Sequence, residues 1–415
     1  MSKSVIVIGG GIIGLCTAYY LDKEGCKVTV IDQSTITDGA SFVNAGFISP
    51  SHIIPLAAPG MITTGLKMMF NSASPFYVKP RLDADFLKWS LAFKKSSTKK
   101  NVEKAIPIIK DINLLSKELF TDFYNDAAFN FQLEHKGLLM FYQTDKAGEK
   151  ESKVAKRAIE EGLDVELLSL DDVKELEPNV ELNIKGAIHY KCDAHTTPNE
   201  FMKQLYGYLK NKGVTFYTNE KVIDLDVLSD KVSKVKTDKR EISADEVVIA
   251  AGSWSPLLTK KLGVQILVQA GKGYRIDVER EVGITMPAIL MEAKVAVTPM
   301  NGFTRLAGTM EIAGINNNIN PIRVKAIAKA VENYYKGMQI QESEISTAAY
   351  GLRPISPDGL PYIGRLSKFK NVTIATAHAM MGWSLGPATG KLVSEIITDQ
   401  KMAMNILAFY PERQF

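Results

Sequence analysis

Val5-Ile6-Val7-Ile8-Gly9-Gly10-Gly11-Ile12-Ile13-Gly14 is the stretch whose reading decides the fold. Four consecutive β-formers end in a glycine cluster, and Leu15 to Lys23 then reads as a helix. The G-x-G-x-x-G pattern therefore falls between a buried strand and a helix N-terminus, the context it requires. Gly9 permits the tight turn, Gly11 lets a pyrophosphate approach the backbone, and Gly14 lets the helix lie close on the sheet. The first helical N–H groups, around Ile12 and Ile13, and the positive dipole end then face a diphosphate. Gly25 breaks the helix, Lys27-Val28-Thr29-Val30-Ile31 reads as a second strand, and Asp32 closes it, followed by Gln33. An acid about 20 residues beyond the last glycine is where a ribose hydroxyl is gripped. Strand, helix and acid together predict an adenine dinucleotide, which a glycine-rich turn alone would not.

The chain has 415 residues, 46% of them hydrophobic, enough for a large core and for two or three domains. Its net charge of +4 comes from 50 basic and 46 acidic residues with no long one-sign block, which argues against nucleic acid as a partner. Cys16, Cys26 and Cys192 lack metal-ligand spacing and are expected to be reduced and buried, so no metal site is predicted. Val5 to Cys16 is apolar, yet its glycines serve the turn and no cleavage site follows, so no export is expected. No apolar run is long enough to span a bilayer.

Between Gln33 and Gly60 periodicity is lost, and Gly39-Ala40-Ser41-Phe42-Val43-Asn44-Ala45-Gly46 is rich in small residues that allow close backbone approach to a flat ligand. Helical patterns follow at Met61 to Phe70, Ala84 to Phe93, and Val102 to Asn125, where Pro107 predicts a kink or a restart. Lys136 to Tyr142 alternates, Lys146 to Glu161 reads as a helix, and Ser169 is the expected N-cap of a short helix ending before Pro178. Pro198 to Lys212 is a further helix. Strands are expected at Val214 to Tyr217, Lys221 to Leu228, Lys231 to Lys236 and Glu246 to Ala250, the last emptying into Ala251-Gly252-Ser253-Trp254, a second place for a cofactor to touch backbone. β-Ribbons at Gln265 to Val278 and Ala288 to Ala307, a helix at Pro321 to Lys336, a strand at Asn371 to Ala375 and a helix from Trp383 to Thr398 complete the chain. No repeat or low-complexity linker separates the parts, so the domains must be interleaved.

With these pieces in view, the chain resembles the FAD-dependent amine and D-amino-acid oxidoreductases nearly end to end, with the bacterial D-amino-acid dehydrogenases as the nearest branch. The resemblance is carried by Ser41 to Gly46, the spaced prolines from Ser49-Pro50 to Pro59-Gly60, Lys272-Gly273-Tyr274, and Gly351-Leu352-Arg353-Pro354-Ile355-Ser356-Pro357-Asp358-Gly359. It implies an α/β fold of the glutathione-reductase-like, amino-acid oxidase type: a Rossmann-type FAD domain interleaved with an α+β substrate domain. The expected division is 1–82, 190–256 and 342–415 for FAD, and 83–189 and 257–341 for substrate. It also implies FAD, expected to be noncovalent because none of the three cysteines lies in the C-terminal half, in contact with Gly9, Gly11, Ile12, Ile13, Gly14, Asp32, Gln33, Ser41, Asn44, Ala45, Gly46, Val222, Ala251, Gly252 and Trp254. The flavin ring would lie against Met381, Gly382, Trp383 and Ser384, where the sequence reads His378-Ala379-Met380-Met381-Gly382 in place of the family's His-Gly-Gly-Tyr-Gly. Backbone N–H groups at the start of the Trp383 helix would stabilise charge on the reduced ring.

By the same resemblance Arg353 binds the substrate carboxylate, a task for which a planar guanidinium is suited by its two parallel hydrogen bonds. The competing reading pairs Arg353 with Asp358. Tyr274 is a second candidate for the carboxylate, or half-buried packing. His52 and His378 stand on cofactor-proximal loops and are candidates for proton transfer, or are simply structural. The implied reaction is oxidation of the Cα–N bond of a D-amino acid, D-proline and hydroxyproline included, by hydride transfer to flavin N5 with electrons passed to a quinone-type acceptor. An oxidase giving peroxide from amino acids, glycine or sarcosine is the enzymatic alternative, and a binding protein on the same scaffold the non-enzymatic one. Lys67 to Lys100 mixes leucines, methionines and aromatics with lysines, so a cytoplasmic protein with an ordinary packed helix and one lying peripherally on the inner face of the membrane both stay open. Side-chain preference and oligomeric state are not legible.

Overall fold

A computed structural model of the chain describes residues 2–61, 63 and 74–415. The nucleotide-binding reading is realised in a six-stranded sheet ordered Thr215–Tyr217, Lys27–Ile31, Ser4–Ile8, Glu246–Ile249, Val372–Thr376 and Tyr362–Arg365. The first five strands are parallel and the last is antiparallel. Such a sheet is covered on both faces, which is why Ile6-Val7-Ile8 and Val247-Val248-Ile249 are continuous apolar runs and not alternating ones. Strand order reverses beside Ser4–Ile8, and the crevice opens at the carboxyl ends of the strands there.

The first helix spans Ile12–Lys23 and starts three residues earlier than its composition suggested, with Gly11 as its N-cap. A Cβ at Gly14 would lie 1.8 Å from the Gly9 carbonyl oxygen, so helix and turn can meet only at glycine. The same helix packs on Gly386–Ile397, where a Cβ on Gly390 would meet the Cys16 backbone at 2.5 Å. These two helices cross at small residues, and their apolar faces join the main core with Phe120, Phe123, Phe201 and Trp383.

A second, larger sheet runs Ala349–Ile355, Gln269–Val278, Phe303–Ile312, Val295–Met300, Ala288–Leu290, Leu138–Tyr142, Gly186–Tyr190 and Val165–Leu168, with Phe76–Val78 added beside Phe303–Ile312. One face packs on the helix Pro321–Tyr334 through Val324, Ile327 and Val331. The strand Ala349–Ile355, which sequence grouped with the nucleotide-binding segments, pairs along its whole length with Gln269–Val278 in this sheet.

Most predicted elements are present, with two differences and one element that is not described. Pro107 lies inside one unbroken helix, Lys99–Asn125; it neither restarts nor ends it, because a long amphipathic face with Ile106, Ile109 and Ile112 stays buried on both sides of it. The C-terminal helix begins at Gly386 and not at Trp383, since Ala379–Met381 forms a separate 3₁₀ turn and Trp383 is drawn into the core by its indole bond to Thr196. The helix expected at Met61 to Phe70 lies almost wholly outside the described residues.

Candidate active site

A cavity of about 1430 Å³ runs between the two sheets. One end is formed by the glycine turn, with Gly9, Gly11, Ile12, Ile13, Asp32, Gln33 and Ser41 in its wall. Val222, Ala251, Gly252 and Trp254 line the same end. The first helix starts there with glycine as its N-cap and no acid in its first turn, and Ile12 N–H donates to Ser41 Oγ at 3.0 Å. Of the expected contacts, Gly14 and Gly46 do not line the cavity, because both are spent on packing. Gly46 has φ +79°, and a Cβ on it would lie 2.2 Å from the Thr196 carbonyl oxygen. Asp32 accepts from Gly10 N–H at 2.6 Å and from both Ser34 N–H and Ser34 Oγ–H at 2.7 Å. The acid thus ties the glycine turn to the next loop as well as facing the cavity.

The Ser41-to-Gly46 loop is held by donors from distant segments. Buried Arg305, paired in fork geometry with Asp277 at 2.8 and 2.9 Å, donates Nη1 to the carbonyls of Phe42 and Asn44. Thr298 Oγ donates to the Ala45 carbonyl at 2.8 Å, and Thr196 N–H to the Gly46 carbonyl at 2.9 Å. With its carbonyls tied back, Val43, Asn44 and Ala45 are free to line the cavity. Across from them lie Met381, Gly382, Trp383 and Ser384. Ser384 Oγ is fixed between Ser49 N–H and Asn113 Oδ1. Asp193, completely buried and pushed up to about 7, takes two hydrogen bonds from Ser51 and holds the Ser49-to-His52 stretch.

The cavity roof is one register row of the large sheet. Ala349 pairs with Arg275, Arg275 with Ala307, Ala307 with Ala296, Ala296 with Ile289, and Ile289 with Met140. All six line the cavity. Four of these are short or branched aliphatic side chains, so a flat ligand can lie close to the sheet.

Arg353 reaches over this roof. Its guanidinium lies above Gly273, where a Cβ would come within 2.2 to 2.5 Å of it. Nη1 donates to the Thr309 carbonyl at 2.8 Å. No acid pairs with it among the described residues, and surrounding protein pushes its pKa down to about 10 through desolvation alone. The competing reading fails, since Asp358 is held bidentately by Arg413 at 2.7 and 2.8 Å. A half-buried guanidinium with most of its donors unspent is a site for an anion. Arg275, the neighbouring cation, is paired with Asp277 at 2.8 Å.

The other three candidates are placed differently. Tyr274 lines the cavity, but its hydroxyl donates to Glu311 at 3.0 Å and is pushed up to about 12 by burial and that acid. Its donor is therefore taken. His378 is buried with Nε2 at 2.9 Å from Thr389 Oγ, and burial pushes it down to about 3. It stands between Ala377 and Ala379, both left-handed at φ 64° and 50°, so the loop is strained around a neutral, structural ring. His52 lines the cavity with Nδ1 at 3.2 Å from Ser51 Oγ, and burial with nearby Lys294 pushes it down to about 4. Burial thus favours the neutral form of both rings.

Sequence reading missed Thr309 and Tyr350. Thr309 is left-handed at φ 66°, at a register shift that turns its carbonyl to Arg353. A bulge in the pairing of two strands leaves no local mark in sequence. Tyr350 lines the cavity directly before Gly351-Leu352-Arg353, and that adjacency was a usable signal. None of the three cysteines lines the cavity, and no group of His, Cys, Asp or Glu among the described residues could hold a metal.

The glycine cradle, the acid-free helix start and a flat-roofed cavity of this size fit a flavin dinucleotide. Comparisons agree. The family described as DAO, FAD dependent oxidoreductase, matches residues 4–396. A D-amino acid dehydrogenase of Helicobacter pylori is 32% identical over 401 residues, covering 96% of each chain. One from Vibrio vulnificus is 31% identical over 410 residues, covering 95% of this chain and 96% of its own. Among solved structures, glycine oxidase from Geobacillus kaustophilus superposes with a TM-score of 0.78 at 19% identity, all of both chains being covered. L-proline dehydrogenase from P. horikoshii gives 0.75 at 19% identity, over 99% of this chain and 97% of its own.

Proposed function

The chain belongs to the FAD dependent oxidoreductase family, and from that premise we propose that it oxidises the Cα–N bond of a D-amino acid as a dehydrogenase. The observation that carries the substrate class is Arg353, a desolvated guanidinium without an acid partner, reaching into the cavity that the glycine turn opens. Bound FAD supplies the two-electron acceptor for the Cα hydrogen. Arg353 holds the substrate carboxylate, the small residues of the roof let the substrate lie flat, and the enclosed cavity keeps water from the reacting carbon. Hydride leaves Cα from the neutral amine, and for an amine that binds already neutral no side-chain base is needed beyond this positioning. The imino acid that leaves is hydrolysed to a 2-oxo acid and ammonia, whereas a cyclic substrate such as D-proline stops at the imine. FAD is held noncovalently, in keeping with cysteines that lie away from the cavity.

The nucleotide segments are 1–82, 190–256 and 342–415 and the substrate segments 83–189 and 257–341, with Ala349–Ile355 bridging them. A quinone is the acceptor, reached from the membrane surface. In support, the helix Ala84–Ser96 exposes Leu87 and Leu91 with Lys88, Lys94 and Lys95 beside Leu82, while Trp89 anchors it by donating to the Ile355 carbonyl of the clamp strand. No helix among the described residues is long and apolar enough to cross a membrane.

The test is anaerobic bleaching of the purified flavoprotein by a panel of D- and L-amino acids including the prolines, repeated with oxygen and with a quinone. Bleaching by D-substrates and reoxidation by quinone are expected. Bleaching by L-substrates alone overturns the stereochemical reading, and rapid peroxide formation overturns the dehydrogenase reading. Cosedimentation with anionic liposomes, lost on adding salt, checks the membrane contact.

A further inference from the structure

The cavity does not end at Arg353. Beyond it an arm runs under Ile289, Met291 and Met140, and Lys294 projects into its wall. Val295 pairs with Gly308, so Lys294 enters the hairpin one position on, beside Thr309, whose carbonyl Arg353 uses. Ala349–Ile355, which carries Arg353, and Val295–Met300, which Lys294 leads into, lie three spacings apart in the sheet, roughly 14 Å, and Arg353 spans two of these to reach Thr309.

Lys294 is an exposed residue that lines the cavity, and its ammonium makes no ion pair or hydrogen bond among the described residues. Desolvation lowers its pKa, and Glu151 and Glu292 act on it only at a distance. Glu151 is occupied at Oε1 by the Tyr190 hydroxyl at 2.7 Å, and Glu292 by Thr144 Oγ at 2.8 Å and by Tyr334. Lys150 and the acid Glu151 both line the same arm, while His52 faces it as a neutral ring. The arm thus has methionine and isoleucine walls of the kind that accept methylene groups, and a lysine that makes no direct ion pair among the described residues.

We propose that this arm receives the substrate side chain and that Lys294 selects D-amino acids whose side chain ends in a carboxylate. The proposal rests on the amino-acid reading above: Arg353 takes the α-carboxylate, the apolar walls take one or two methylenes, and Lys294 takes the distal acid. The charge-assisted bond is worth roughly tenfold or more in kcat/KM over an isosteric neutral side chain.

The test compares D-glutamate with D-glutamine, equal in size and different in charge, by flavin bleaching of the wild-type holoenzyme, Lys294→Gln and Lys294→Arg. A wild-type preference for D-glutamate of about tenfold, abolished in Lys294→Gln and kept in Lys294→Arg, is expected. A wild type that treats the two alike, or a preference that survives Lys294→Gln, overturns the proposal. A second measurement needs no turnover: glutarate should perturb the oxidised flavin spectrum at a concentration about tenfold below that of butyrate. Equal affinities would overturn it, whether or not the variants fold. If D-alanine and D-proline bleach the flavin but D-glutamate has no advantage, the arm assignment fails alone; if no amino acid bleaches it, the parent reading fails.

Discussion

Replacing Arg353 with leucine should raise the substrate KM by about a hundredfold or more while FAD stays bound. The guanidinium offers two parallel donors to a carboxylate, and a hydrogen bond to a charged group is worth roughly 1.5 to 3 kcal/mol. Two such bonds set a range of about 3 to 6 kcal/mol. Arg353 is half-buried in a cavity that water enters before substrate does, so the lower end applies. About 3 kcal/mol corresponds to roughly two decades in affinity. Leucine also relieves the desolvation of a guanidinium that has one carbonyl partner, at Thr309, so the fold should not weaken. Arg353→Lys keeps the charge and loses the fork, and should fall between. The assay is anaerobic flavin bleaching against D-alanine or D-proline concentration, with the flavin spectrum as a check of folding. A KM within threefold of wild type in Arg353→Leu, with saturable bleaching, would refute the clamp.

Gly273→Ala should reproduce much of that loss without touching Arg353 itself, because the new Cβ would come within 2.5 Å of the guanidinium and push it off the roof; a normal KM in this variant would place the guanidinium elsewhere. Gly14→Ala puts a Cβ 1.8 Å from the Gly9 oxygen, so the protein should purify colourless or with a depressed melting temperature, and a yellow variant of wild-type stability would count against the cradle. His378 has a folded pKa of about 3 against an ordinary value of 6.5, so the unfolded chain binds its proton first on acidification. Its contribution is intact above pH 6.5 and falls as pH drops toward 3, by up to about 1.4 kcal/mol per pH unit. His378→Gln should therefore flatten the acid loss of melting temperature between pH 6.5 and 4 while leaving bleaching by substrate in place, and loss of bleaching with the fold intact would restore His378 to the chemistry. Denaturant precipitation should release all the flavin; colour retained by the pellet would mean a covalent link.

What the sequence determined alone is the nucleotide end of the molecule. Ile6-Val7-Ile8, Gly9, Gly11, Gly14 and Asp32 are neighbours in the chain and act as neighbours in space, so their spacing was enough to predict strand, turn, helix and acid. Arg353 was singled out by resemblance, through the motif from Gly351 to Gly359 that surrounds it. Tertiary structure decided the rest. That Gly46 packs and does not line depends on the Thr196 carbonyl, brought up from 150 residues along the chain. That Tyr274 spends its hydroxyl on Glu311, that Asp358 belongs to Arg413, and that Lys294 stands beside Thr309 follow from pairings between segments 13 to 55 residues apart. Such pairings are set by strand register and by the packing of two sheets on one cavity. A side chain's own neighbours in sequence carry no record of which partner the fold will bring to it.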